Sequence, residues 1–186
     1  MASRQRLTKF LTGLFAVAAL AGCADPETPT GQPTFYRSLA QAGVEVDAKA
    51  AASMISGYRK NNGLGPVSLD PALARIADQQ ARAMARRDKL DHNAGGSFAE
   101  RMKASGYKYQ MGAENIGAGY HTLAEAFSGW RDSPPHRANM LHKGVTRLGI
   151  AAVYEPNSKY KVFWVLILAA PEDSRAESAR PHLIAQ

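Results

Sequence analysis

The chain has 186 residues, of which 45% are hydrophobic and 21% charged, with a formal net charge of +7. Without residues 1–22 the balance falls from 23 basic against 16 acidic residues to 20 against 16, and the remaining charges are dispersed, which excludes the basic stripe of a nucleic-acid binder. Cys23 is the only cysteine, so no intramolecular disulfide exists and the fold must be stable by its core alone.

Residues 1–22 read as an export signal. Arg4, Arg6 and Lys9 form a basic start, and Phe10 to Leu20 is an apolar stretch too short for a membrane span. Leu20-Ala21-Gly22-Cys23 resembles the bacterial lipobox, which implies that Cys23 becomes an acylated N-terminus, with palmitate among its chains. Residues 23–43 are rich in Pro, Thr, Gly and Gln and are expected to be a flexible tether. One domain is expected over 44–171, and 172–186 as a disordered polar tail.

Within that domain Val44 to Asn61 carries Val46, Ala50, Met54 and Tyr58 at helical spacing, stopped by Asn62-Gly63 and Pro66. Asp70-Pro71 opens a second helix, a capping residue followed by proline at the first helical position, with Leu73, Ile76, Ala77, Ala81 and Met84 on one face. Ser97-x-x-Glu100 and Thr122-x-x-Glu125 are capping boxes that open two further helices. Pro134 interrupts the last of these, and His136 to Leu141 reads as a short further turn. Gly106 to Gly119 reads as loop with at most a short strand. Gly149 to Tyr154 and Tyr160 to Ala169 read as strands joined by a turn at 155–158. The second is apolar on both faces, so helices must cover it on both sides. The expected fold class is α+β, an α-β-α sandwich around a small antiparallel sheet.

Three polar groups could carry chemistry. His92 lies where the chain leaves the second helix, a place where a lone histidine also serves as a cap or surface residue. Glu114 stands in a Gly-rich segment beside Ile116, and if buried it needs a partner, because an unpaired buried carboxylate is costly. His136 follows the Pro134-Pro135 break, which fixes the direction of chain entry. Arg137 suits either a bound carboxylate or a salt bridge that locks the loop. Asn139 suits a cap or a backbone hydrogen bond. His121 and His142 read as surface residues, and His182 lies in the tail. No His-Glu-x-x-His, Gly-x-Ser-x-Gly or phosphate-loop pattern is present.

These residues also carry a resemblance. Tyr58-Arg59-x-x-Asn62-Gly63-Leu64, Leu90-Asp91-His92, Glu114-Asn115-Ile116-Gly117-Ala118-Gly119, Trp130, Ser133 to Leu141 and Leu148-Gly149-Ile150 resemble the CAP superfamily, the SCP-like domain, in its disulfide-free bacterial branch. The resemblance covers about residues 50–171 and implies the same α-β-α sandwich. It implies a cavity lined by two His and two Glu, in which the His pair binds zinc in some members. His92 and His136 then match the metal-ligating histidines, and Glu114 the first glutamate. The second glutamate would fall at Ser133, so one cavity carboxylate is missing and Ser133 lines the site instead. Zinc is the one cofactor the resemblance implies.

Three functions stay open at this level. The first is a non-enzymatic, envelope-anchored module that binds a small amphiphile, wall fragment or protein partner. Such binding calls for exposed aromatics at the groove, with Tyr107, Tyr109 and Tyr120 as the candidates. The second is a zinc-dependent hydrolase with Glu114 as the catalytic residue beside His92 and His136. The third is a purely structural polar network. Acylation at Cys23 implies a membrane as partner, and lipid, peptidoglycan or an envelope protein as ligand. Ala24, in the place where aspartate directs inner-membrane retention in Gram-negative lipoproteins, favours the outer membrane.

Overall fold

The computed structural model describes residues 31–172; the export signal, Cys23 and the tail beyond Glu172 lie outside the described residues. After a single 3-10 turn at Thr34–Tyr36, the elements are α1 (Ala48–Asn61), β1 (Ser68–Leu69), α2 (Pro71–Arg87), α3 (Phe98–Ala104), β2 (Tyr109–Ala118), α4 (Leu123–Asp132), α5 (Pro134–Met140), β3 (Arg147–Tyr154) and β4 (Val162–Pro171).

The helix ends follow their capping chemistry. Asp47 accepts from Ala50 N to open α1, and Asp70 accepts from Ala72 N and Leu73 N to open α2. Both capping boxes form, Ser97 with Glu100 and Thr122 with Glu125. Pro134 cannot continue α4 but starts α5, its missing N–H costing nothing in a first turn.

The sheet has the order β1-β3-β4-β2. β4 is central and antiparallel to both β3 and β2, while β1 pairs parallel to β3. Its two apolar faces divide the core. Val162, Trp164, Leu166 and Leu168 pack with Ile55 of α1, Leu123, Ala126 and Trp130 of α4 and Met140 of α5. Phe163, Val165 and Ile167 pack with Leu73, Ile76 and Met84 of α2 and Met102 of α3. The sandwich is therefore α1/α4/α5, sheet, α2/α3. Gly149 of β3 lets α2 approach closely: a Cβ there would fall onto the backbone of Leu73 and Ala74.

Three expectations need correction. Residues 109–118, expected to be mostly loop, form a full strand paired with β4 from Tyr109 to Ala118; its run of small residues carries little β signal, and the apolar partner strand supplies it. The sheet is mixed rather than antiparallel, because β1 is too short to announce itself. Part of the expected tether is packed: Leu39 is buried in the core, and its N–H donates to His121 O at 2.7 Å.

Candidate functional site

β2 is an edge strand, and the candidate residues gather there. Glu114 lies opposite Ile167 and Asn115 opposite Leu166, so the Glu114 side chain enters the α2/α3 layer and the Asn115 side chain enters the α1/α4/α5 layer. Each layer brings one histidine to this edge.

On the α2/α3 side, Glu114 is buried with both carboxylate oxygens engaged. Oε1 lies 2.8 Å from His92 Nδ1, and Arg101 Nη2 donates to Oε2 at 2.7 Å. A carboxylate only accepts, so His92 Nδ1 carries a proton, and in the neutral imidazole Nε2 is the nitrogen with the bare lone pair. The Arg101 and Glu114 side chains are 5% and 3% exposed, whereas His92 is 52% exposed. The loop that holds His92 is fastened from beneath. Gln80 of α2 donates to Asp91 O and His92 O and accepts from Gly95 N, while Arg101 donates to Gly96 O and His92 O.

On the other side, α5 is docked by amides. Asn115 Nδ2 donates to His136 O at 3.0 Å, and Asn139 Nδ2 donates to Asn115 Oδ1 and to Glu114 O. Trp130 Nε1 donates to Ile116 O. Side chains thus satisfy outward carbonyls that an edge strand would otherwise leave open. The C-terminal end of α5 is held by Arg59, 1% exposed, whose guanidinium donates to Gly65 O, Met140 O, His142 O and Val145 O. His136 is half-buried, and burial together with the neighbouring His92 holds its imidazole below the usual histidine value.

His92 and Glu114 therefore meet directly, and His136 lies near enough to His92 for the charge on His92 to act on it, with no hydrogen bond from its ring to either among the described residues. Ser133 stands between α4 and α5, half-buried, and among the described residues no hydrogen bond joins its hydroxyl to the other three. Arg137, His121 and His142 are exposed. Arg101 and Gln80 were not singled out by sequence reasoning, and Arg59 entered only within the motif Tyr58-Arg59-x-x-Asn62-Gly63-Leu64, with no role assigned. The need of a buried Glu114 for a cation was the available signal for Arg101, and nothing in the sequence says which arginine supplies it. The expected aromatic rim is also corrected. Tyr107 donates to Asp70 Oδ2 at 2.8 Å, Tyr109 packs edge-on against Phe98, and Tyr120 lies against Gly117 and Gly129, all half-buried.

The family is settled by comparison. The family model described as CAP, the cysteine-rich secretory protein family, matches residues 52–168. The chain belongs to the CAP family. It is similar to the uncharacterized protein YkwD of Bacillus subtilis, 28% identical over 138 residues, which are 73% of this chain. The match spans 54% of that protein's length. Among solved structures, an outer surface protein of Borrelia burgdorferi aligns with a TM-score of 0.61 at 18% identity, covering 70% of this chain and 99% of that one. An extracellular SCP-domain protein of Bacillus anthracis aligns at 0.58 and 22% identity, covering 66% and 39%. These structural likenesses establish the CAP sandwich. Among the described residues no helix is long and apolar enough to cross a membrane.

Zinc, which the CAP family implies, has only a partial fit. His92 is arranged as zinc-binding histidines are, one nitrogen on a carboxylate and the other bare, and His136 supplies a second imidazole. The described residues offer no group of three His, Cys, Asp or Glu side chains able to hold a metal, and both oxygens of the buried Glu114 are already hydrogen-bonded within the protein. The set suits two-imidazole binding and lacks the third protein ligand usual in catalytic zinc.

Proposed function

We propose that this CAP protein is an extracytoplasmic, membrane-anchored binding module that holds its ligand on the His92–His136 face and does not turn it over. The observation that carries this reading is the double commitment of Glu114. With His92 on one oxygen and Arg101 on the other, and a side chain only 3% exposed, it orients an imidazole and is shielded from the substrate or water whose proton a general base would take. The half-exposure of His92 sets the face apart from a purely structural network, which would bury it.

Anchoring rests on the lipobox-like Leu20-Ala21-Gly22-Cys23. The surface and extracellular descriptions of the Borrelia and Bacillus anthracis proteins accord with an exported chain, and Ala24 favours the outer membrane. If zinc is taken up, His92 Nε2 and a His136 nitrogen hold it, and it supplies an electrophilic point for a ligand oxygen.

The test is zinc calorimetry on the full chain beside His92→Ala and His136→Ala, with a parallel casein-cleavage assay. Support is binding with a Kd of about 1 μM or tighter that both substitutions abolish, with casein intact. Binding indifferent to both substitutions, or cleavage abolished by Glu114→Gln, overturns the reading.

A further inference from the structure

β3 carries an open edge. β1 covers only its first two residues, Ser68 opposite Arg147 and Leu69 opposite Leu148. Beyond them Ile150 to Tyr154, a run of about 14 Å, has β4 on one side and no strand on the other. The hydrogen bonds at its two ends fix which groups face out. Glu155 N donates to Lys161 O on the β4 side, and Leu148 O receives Asp70 N from the opposite side. Antiparallel pairs alternate, so Gly149, Ala151 and Val153 bond to β4, while Ile150, Ala152 and Tyr154 turn N–H and C=O outward. Among the described residues no protein hydrogen bond reaches those outward groups.

This edge is the floor of a groove. Two adjoining clefts of about 340 and 370 Å³ follow it and share Glu45 and Ala152. Val46 and Ala48 wall it on the α1 side, and Ala74, Arg75 and Asp78 on the α2 side. Unpaired main chain on the floor calls for another main chain. A single extended strand fits between the walls. The same edge of a second copy, sunk in its own groove, cannot close to the strand spacing of about 4.8 Å.

The walls also carry charge to be matched. Asp78 is engaged with Arg82. Glu45 and Arg75 are exposed, and among the described residues neither side chain has a hydrogen-bond or ion-pair partner. Neighbouring side chains of a strand point to opposite faces, so an acid beside a base in the added strand meets Arg75 on one wall and Glu45 on the other.

We propose that β3 binds an extended segment of a partner protein by strand addition. The segment pairs with Ile150, Ala152 and Tyr154 and places an adjacent acidic and basic side chain between Arg75 and Glu45. This surface lies at the sheet edge opposite β2 and does not rest on the binding role of the histidine face.

The test is NMR titration of the isotope-labelled full chain with the blocked peptide Thr-Val-Glu-Lys-Val-Thr, and with the same peptide N-methylated at alternate amides. Saturable shifts at Ile150, Ala152 and Tyr154 are expected with a Kd of about 100 μM or tighter, and the Ala152 and Tyr154 amides become protected from exchange. N-methylation removes main-chain donors from the peptide alone and should weaken binding at least about fivefold. Ala152→Pro removes one outward N–H and leaves the β4 ladder bonds in place, and it should weaken binding by a similar factor. The charge reversal Glu45→Lys/Arg75→Glu should retain binding of a strand that enters with its acid and base exchanged. Failure to saturate, equal binding of the N-methylated peptide, or shifts at β2 instead of β3 overturns the proposal. So does protection of Ala152 and Tyr154 in the free chain, which would give the edge to a segment of the chain itself, or concentration-dependent shifts there without peptide, which would give it to a second copy.

Discussion

Arg101 Nη2 donates to Glu114 Oε2 at 2.7 Å, and both side chains are almost wholly buried, 5% and 3% exposed. The pair fixes the carboxylate from below, while His92 meets it from the solvent side. Removing one partner of such a pair strands a buried charge. Glu114→Gln and Arg101→Met should each lower unfolding free energy by about 3–5 kcal/mol. His92→Ala, at a half-exposed position, should cost about 1 kcal/mol or less. The double variant Arg101→Met/Glu114→Gln should lose less than the sum of the single losses. Urea unfolding of the four variants checks the order; a His92→Ala loss equal to that of Arg101→Met would show that the network is not organised around the buried pair.

His136 gives the domain an acid-sensitive element. Burial, then the charge on His92, keeps its folded-state imidazole below the unfolded value of about 6.5. The unfolded chain therefore binds the proton first. Stability from His136 is complete above about pH 6.5 and declines as pH falls through the depressed folded value. His136→Gln should flatten this part of the stability profile between about pH 7 and pH 5, measured by urea midpoints. An unchanged slope would place the acid sensitivity elsewhere.

Gly149 should tolerate no side chain. A Cβ there meets the Leu73 carbonyl carbon and the Ala74 nitrogen, and backbone cannot rotate away as a side chain does. Gly149→Ala should push α2 from β3 and cost about 3 kcal/mol or more, read from thermal unfolding. A loss below about 1 kcal/mol would mean that the helix shifts freely.

Arg59 fastens Met140 O, His142 O, Val145 O and Gly65 O. Burial holds its guanidinium below the usual arginine value, so four carbonyls replace the water it has lost. Arg59→Lys keeps the charge but not the fork. It should cost at least about 2 kcal/mol and speed amide exchange across residues 140–145, with His136 resonances broadened. Unaltered exchange there would detach Arg59 from the positioning of α5.

Much of this was legible in the sequence. Capping chemistry located α2, α3 and α4 to within a residue or two, because Asp70, Ser97 and Thr122 act through local bonds that need no tertiary knowledge. The two-faced run from Val162 to Ile167 foretold a central strand covered on both sides. β2 was not legible, since Gly112, Ala113, Gly117 and Ala118 have weak strand preference and gain their conformation from pairing with β4. At the site, His92, His136 and Glu114 were singled out by motif, and the structure joins His92 to Glu114. Arg101 and Gln80 were not, because a helical arginine and glutamine look like surface residues until topology turns them inward. The three tyrosines misled for the converse reason: an aromatic in a Gly-rich segment suggests a rim, yet each finds a packing partner.

The most direct measurement is ring-nitrogen NMR of the histidines in the full chain at about pH 7.5, before and after zinc. The account predicts His92 as the Nδ1–H tautomer, held by Glu114, with a bare Nε2 that shifts on zinc addition together with the His136 ring. It also predicts that Glu114→Gln releases the tautomer preference. A dominant Nε2–H tautomer at His92, or zinc that perturbs neither ring, would contradict it.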